Sequence, residues 1–235
     1  MTNGSDLGDA GLFGRKADEA DLPIIAKIHK LAYSRNHFTA LLSEEVLVRY
    51  YRLFLDGGTE IYLAIDGKTK SSSEPLPADL ICGFAVYGVG IPQKIAEFKR
   101  DCFPAIFATS LRHPVKAAGK FLAVMGARLR ASDDHHPCDF LLLSIAVAKP
   151  RRGIGRWLLR AVLKNAADAG YNIVGLYVNV DNIAAINSYF SSRFVLNTII
   201  DKQYYMECRF QSLRLMPATC LGQTATNIET RHRND

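Results

Sequence analysis

The stretch Phe140–Leu163, FLLLSIAVAKPRRGIGRWLLRAVL, constrains this chain more than any other. Phe140–Ala148 is an almost unbroken apolar run, the pattern of a strand buried on both faces. A short basic loop follows, and apolar residues then recur at helical spacing from about Ile154 to Ala169, with Gly170 as the cap. A buried strand entering a helix through a glycine-containing loop is a site for an anion. Helix N-termini leave N–H groups free and carry partial positive charge. Gly153 and Gly155 let the backbone approach a ligand closely, while Arg151, Arg152 and Arg156 offer charge-assisted donors. Two phosphate-binding motifs fail on residues. A dinucleotide fingerprint needs a third glycine where Leu158 stands, and a P-loop lysine has no counterpart in GIGRWLL.

The rest of the chain supplies the elements such a unit needs. A short strand is expected at Phe13–Lys16, followed by a helix capped by Asp18 and running to about Tyr33, with Ile24, Ile25, Ile28, Leu31 and Ala32 at helical spacing. Ser43 opens a second helix that extends to Leu55, and Gly57-Gly58 ends it. Thr59–Asp66 and Leu80–Val89 read as strands of a hairpin with an enlarged polar connection. After the central strand–helix unit come a strand at Asn172–Val180, a helix at about Ile183–Ser191, and strands near Val195–Ile200 and Gln203–Phe210. Strands alternating with helices predict an α/β domain (an α+β three-layer arrangement) around a mixed, twisted sheet. The organisation expected is a loose tail at 1–12, one domain at 13–210 and a second tail at 211–235. Residues 92–137 form a helical insertion ahead of the central strand, broken at Pro104 and Pro114.

Composition removes several classes of function. No apolar run is long enough for a membrane-spanning helix, and the opening residues lack the basic start and apolar core of a signal peptide, so a cytoplasmic protein is expected. The five cysteines are scattered without C-x-x-C spacing, which argues against a zinc site or a disulfide framework. Asp133-Asp134-His135-His136 reads as an exposed loop, so no metal is expected. The net charge of +6 suits a polyanionic ligand, and no interleaved aromatics or recognised motif point to nucleic acid. The basic insertion reads as a solvated face, with contact to an anionic surface as the sharper alternative. Oligomeric state is not legible.

Two linked elements give the chain a family likeness. Val147, Pro150, Gly153, Gly155, Leu158 and Leu159 follow a strand–turn–helix pattern, V-x-x-P, then G-x-G, then paired leucines. Leu176, Val178, Asn182, Ala185 and Tyr189 follow L-x-V-x-x-x-N-x-x-A-x-x-x-Y, with Phe194 five residues on. In both, over Phe140–Phe194, the sequence resembles the GNAT superfamily of N-acetyltransferases. It departs from that pattern in a shorter loop before Gly153, in Pro150 where an arginine or glutamine is usual, and in Arg193 where a glycine precedes Phe194.

The resemblance implies acetyl-CoA as acyl donor and a small-molecule primary amine as acceptor, with an amino sugar the leading guess. Coenzyme A would lie against Ile145, Ala146 and Val147, and its pyrophosphate would sit on Arg151, Arg152, Gly153, Ile154, Gly155 and Arg156. Asn182 would cap its helix and touch the cofactor. Tyr189 would be the acid that protonates the departing thiolate. The family's usual glutamate base is replaced by Leu141 and Leu143, so Asp139, two residues ahead on the same face, is the candidate base, with Ser144 next. His29 and His37 read as surface or capping residues. A non-catalytic module that binds acyl-CoA is the alternative reading.

Overall fold

The computed structural model describes residues 11–33, 38–67, 80–104, 138–148 and 153–210. Seven strands form one sheet: β1 (Leu12–Lys16), β2 (Thr59–Asp66), β3 (Ile81–Gly88), β4 (Leu141–Val147), β5 (Ile173–Asn179), β6 (Val195–Ile200) and β7 (Gln203–Arg209). The described helices are α1 (Leu22–Ala32), α2 (Glu44–Arg52), α3 (Ile91–Asp101), α4 (Ile154–Asp168) and α5 (Ile183–Ser191). Sheet order is β1-β2-β3-β4-β5-β7-β6, and every neighbouring pair is antiparallel except β4 with β5. The parallel pair is joined through α4, as a parallel connection requires.

The mixed sheet has helices on both faces, which is the three-layer α/β arrangement expected. On one face α4 lays Trp157, Leu158, Leu159, Val162 and Ala166 against Ala85, Tyr87, Leu142, Val174 and Leu176. On the other, Leu22, Ile25 and Ile28 of α1 and Tyr51 of α2 cover Ile61, Leu63, Phe84, Val86, Leu141 and Ala146. The strand β4 is thus apolar on both faces because both carry helices. Truncation of Leu158, which is wholly buried, would cost about 3 kcal/mol.

Local rules explain where the elements begin. Asp18 caps a short 3-10 turn at Glu19–Asp21, and the Asp18 N–H donates in return to the Asp21 carboxylate. Leu22 and Pro23 then start α1. Ser43 caps α2 by accepting from the Val46 N–H, though the helix stops at Arg52 and Leu53–Gly58 is turn. One expectation changes. The buried stripe of α1 is Leu22, Ile25, Ala26, Ile28 and His29, whereas Leu31 is 73% exposed and Ala32 also faces solvent. The spacing i, i+3, i+4, i+7 from Leu22 ends on His29, so a histidine occupies the last inward position of the helix. Of the insertion, α3 is helical as expected. Residues 105–137, with Pro114, the basic stretch around it and Asp133–His136, lie outside the described residues, as do 1–10 and 211–235; Leu12, expected in the first tail, opens β1.

Candidate functional site

The parallel pair does not zip. Each of β4 and β5 has seven residues, but their register holds only at Leu141 with Gly175 and Leu142 with Leu176. Beyond that point the strands part. At the pinch, Gly175 is a packing requirement, since a Cβ there would come within 2.6 Å of both the Cys138 sulfur and the Tyr205 hydroxyl. Where the parting starts, Leu143 is an extra residue on β4: Tyr87 pairs with Leu142 and Val86 with Ser144. Such a bulge bends its strand and re-aims side chains. Leu143 and Ser144 consequently stand on the α1 side together, while Ile145 and Val147 return to the α4 side.

The backbone of the parted strand has a defined sense. Ala148 N–H donates to the Cys82 carbonyl of β3 at 2.8 Å. Alternation along an antiparallel ladder then turns the polar groups of Ala146 to β3 and those of Ile145 and Val147 towards the gap. Ile145 and Val147 are half-buried, and Ala146 between them is buried. The gap therefore offers strand-type donors and acceptors beside an apolar wall, which suits an extended amide-bearing chain.

The start of α4 lies beside this gap. Gly153 caps the helix at φ 76°, a left-handed conformation that glycine tolerates and other residues rarely adopt. Gly155 has no such backbone need, and a Cβ added there would meet only Ile145 Cγ2, at 4.0 Å. Among the described residues, nothing in the packing requires glycine at 155. Its missing side chain leaves room between the helix start and Ile145. Ile154 is buried and Arg156 exposed. Arg151 and Arg152, expected to flank this turn, lie outside the described residues.

Across the gap stands α5. Asn182 caps it, its side-chain oxygen accepting from the Ala185 N–H at 3.2 Å. Two turns on, Tyr189 sits at the C-terminal end, half-buried, with its ring centroid 5.6 Å from Phe194. That contact belongs to the helix stop: Phe194 N–H donates to the Tyr189 carbonyl and Arg193 N–H to the Phe190 carbonyl, both at 3.0 Å. Arg193 takes the left-handed conformation, φ 67°, that the motif needs at this position. The arginine in place of a glycine does not abolish the turn that packs Phe194 on Tyr189.

Side chains from distant parts of the sequence meet at the bulge. Tyr33, at the end of α1, comes near Ser144. Burial holds Tyr189 above the usual phenol range, and the neighbouring Tyr33 adds to that shift. Burial likewise raises Tyr33, with nearby Ser144 acting the other way. Tyr50 and Tyr51 are raised by burial and by Tyr33. All four phenols stay protonated through the neutral range. Beneath Tyr33 lies His29, with ring centroids 4.4 Å apart; its Nδ1 is 2.5 Å from the Tyr51 hydroxyl and its Nε2 2.9 Å from Thr39 Oγ1. His29 is 3% exposed, a buried, hydrogen-bonded residue and not the surface or capping histidine expected. His37 is outside the described residues.

Asp139 is placed elsewhere. It is exposed in a bend ahead of β4, on the far side of the Leu141–Leu142 pinch from the gap. Six residues of extended chain separate it from Ile145, on the order of 20 Å. The period-two argument assigns it the face of Leu141, whereas it lies in the bend ahead of the strand. Tyr33 was not singled out by the sequence reading at all. Its signal was only a tyrosine one turn beyond a buried histidine at the end of an amphipathic helix.

A sheet parted between two parallel strands, with a glycine-opened helix at the parting, defines a fold that admits an extended, anion-ended ligand edgewise. The model of the Acetyltransferase (GNAT) family matches residues 93–191, a span that contains β4, α4, β5 and α5. No curated protein matches the chain. Among solved structures, PaiA N-acetyltransferase of Thermoplasma acidophilum, in complex with coenzyme A, is similar at 13% identity, covering 84% of this chain and 98% of that one with a TM-score of 0.51. YncA of Salmonella typhimurium, solved with its cofactor acetyl-CoA, gives 14% identity, 85% and 94% coverage and a TM-score of 0.50. A protein of Bacillus halodurans gives 9% identity, 86% coverage of each chain and 0.55. At such identities the likeness concerns the fold. Among the described residues, no helix is long and apolar enough to cross a membrane and no group of three His, Cys, Asp or Glu side chains is placed to hold a metal.

Proposed function

We propose that this chain is an N-acetyltransferase that moves an acetyl group from acetyl-CoA to a primary amine. The observation that carries the reading is the unzipped β4–β5 pair, whose free backbone at Ile145 and Val147 lies next to the open start of α4. Pantetheine amides would pair with those two residues as a further strand would. The pyrophosphate would rest on the N–H groups of Gly153–Arg156, with Arg151, Arg152 and Arg156 adding charge. Room beside Gly155 supports the fit. Asn182 is committed to its cap, so any contact it makes with the cofactor uses atoms other than the capping oxygen.

The chemistry asked of the protein is modest. The amine attacks the thioester carbonyl, a backbone N–H near Ile145–Val147 stabilises the developing oxyanion, and the C–S bond breaks. Tyr189, protonated at neutral pH, donates its phenolic proton to the departing thiolate. Asp139 is too far from this centre to act directly as the base. The acceptor is a small-molecule amine, and amino sugars head the candidates to screen. We place its action in the cytoplasm, a compartment that supplies acetyl-CoA. The rival reading, a non-catalytic acyl-CoA-binding module, is favoured by Leu141 and Leu143 standing where the family's glutamate is usual.

Calorimetry with acetyl-CoA on the full chain and on Arg152→Ala/Arg156→Ala tests the placement. Loss of two charge-assisted contacts at about 1.5 kcal/mol each predicts weakening on the order of 100-fold. Equal affinity in both proteins would remove the pyrophosphate from this turn.

A further inference from the structure

The closed end of the parted strands rests on very little ladder. β4 and β5 share two register positions, and the Gly175 N–H donates to the Phe140 carbonyl at 3.0 Å. Side chains of β7 reach across β5 at this point. The Tyr205 hydroxyl donates to Glu207 Oε1 at 3.0 Å and stands 3.3 Å from Cys138 Sγ, in the segment that leads into β4. Cys138 Sγ is also 3.3 Å from the Phe140 carbonyl. The other Glu207 oxygen accepts from Arg209 Nε at 3.2 Å and from Nη2 at 2.9 Å. Tyr205 can lie over β5 only because Gly175 has no side chain, since a Cβ there would come within 2.6 Å of its hydroxyl. Tyr205 is wholly buried and Glu207 is 1% exposed. Burying a carboxylate is costly unless its oxygens are satisfied, and an apolar side chain would pack a sheet face without that cost. A satisfied buried network instead specifies one arrangement of the strands that carry it.

We propose that Tyr205 is a positioning residue: with Glu207 and Cys138 it clasps the start of β4 to β7 and so fixes where the coenzyme A gap begins. The proposal rests on the acetyl-transfer reading above. The β5–β7 ladder, paired at seven positions, is the firm side of the clasp. From β7 the phenol crosses Gly175 and holds Cys138, just ahead of Leu141. The bulge at Leu143 sets the other limit, because β4 is out of step beyond it. Between clasp and bulge the strands stay paired, and past the bulge they part. Tyr205 also links the closed end to the cleft. Its ring centroid is 4.9 Å from that of Tyr177, which faces the α1 side just beyond the paired positions of β5. Without the clasp, Leu141 and Leu142 lose their hold on β5, and the backbone of Ile145 and Val147 loses its fixed distance from the far wall of the gap.

The clasp predicts a signature that packing alone would not give. Acetyl-CoA affinity is measured by calorimetry on the full chain, well below the unfolding transition, for wild type, Tyr205→Phe, Cys138→Ser, Cys138→Ala and Ile61→Val. Amide exchange is followed on the same proteins without ligand. Tyr205→Phe keeps the ring and removes the link, so it should weaken acetyl-CoA on the order of 10-fold, an ordinary coupling between two sites. Cys138→Ala should weaken it in the same direction, whereas Cys138→Ser, which keeps a hydrogen-bonding atom, should stay within about twofold of wild type. The Gly175 N–H, which donates to the approach of β4, should exchange faster in Tyr205→Phe, while the β5–β7 ladder keeps its protection. Ile61→Val is the control: it thins the same core at β2, away from the clasp, and should lower stability without changing affinity.

Two results would overturn the clasp. One is a folded Tyr205→Phe that binds acetyl-CoA within about twofold of wild type. The other is an equal loss of affinity in Ile61→Val, which would reduce Tyr205 to core packing. Should Tyr205→Phe not fold, Cys138→Ala set against Cys138→Ser makes the same comparison, and equal affinities there would overturn the proposal. Failure of folded wild type to bind acetyl-CoA is a different outcome: it takes down the underlying reading and the role of the clasp with it.

Discussion

The two halves of the cleft are built in different ways. The half formed by β4, α4, β5 and α5 is made chiefly of backbone: parted strands, a helix start and two capped helix ends. The half formed by α1 and the bulge is made of side chains, where His29 lies under Tyr33 and is held by Tyr51 and Thr39 from other elements. Backbone geometry demands particular residues at fixed local spacing, such as glycine at a left-handed cap or asparagine at an N-cap. A side-chain cluster can be assembled from any element that reaches it. The first half suits a ligand that all members of a family share, and the second suits whatever is particular to one acceptor.

Several measurements would break or sharpen that contrast. The largest expected effect is at the pinch. Gly175→Ala puts a Cβ against Cys138 and Tyr205, and should cost about 3 kcal/mol in thermal or denaturant unfolding. Next, His29→Leu removes the partner of two hydroxyls and should cost about 2 kcal/mol; a neutral result would show the side-chain half to be loosely determined.

Protonation separates the halves further. The phenols of Tyr33, Tyr50, Tyr51 and Tyr189 are all raised in the folded protein. Their contribution is complete below the ordinary phenol value of about 10 and is lost as pH rises above it, so stability should fall steeply on the alkaline side. Tyr33→Phe should make that fall shallower. Asp21 has the opposite sign. Burial would raise it, but its paired hydrogen bonds from Arg15, at 2.6 and 2.8 Å, leave it below the usual carboxylate value. Its contribution is present above about pH 4 and is lost as pH falls through the lowered folded value. Asp21→Asn should flatten that acid limb by about 1 kcal/mol. The smallest effect is at Arg193. Glycine there relieves a left-handed backbone and should stabilise the chain by about 0.5–1 kcal/mol, with Tyr189 still in place.

The sequence made the first half readable because its rules are local. Ile183–Ser191 and Val195–Ile200 match their expected bounds, and Leu141–Val147 lies inside Phe140–Ala148. Asn182, Gly153 and Gly170 stand where a cap or left-handed turn is needed. The bulge was invisible, because one extra residue in an apolar strand leaves no mark in a run of leucines. Alternation read back from Leu141 reaches Asp139, which lies in the exposed bend ahead of β4. His29 was misjudged for a related reason. Its apolar companions suggested a stripe ending at Leu31, while the true inward stripe needs a polar residue whose partners lie on other elements.

The central claim is that coenzyme A occupies the parting between β4 and β5. Amide hydrogen exchange of the full chain, with and without coenzyme A, addresses it most directly. The N–H groups of Ile145 and Val147 and those of Gly153–Arg156 should gain protection, while the β5–β7 ladder, already paired, should change little. Protection elsewhere, with Ile145 and Val147 unaltered in the bound protein, would contradict the account.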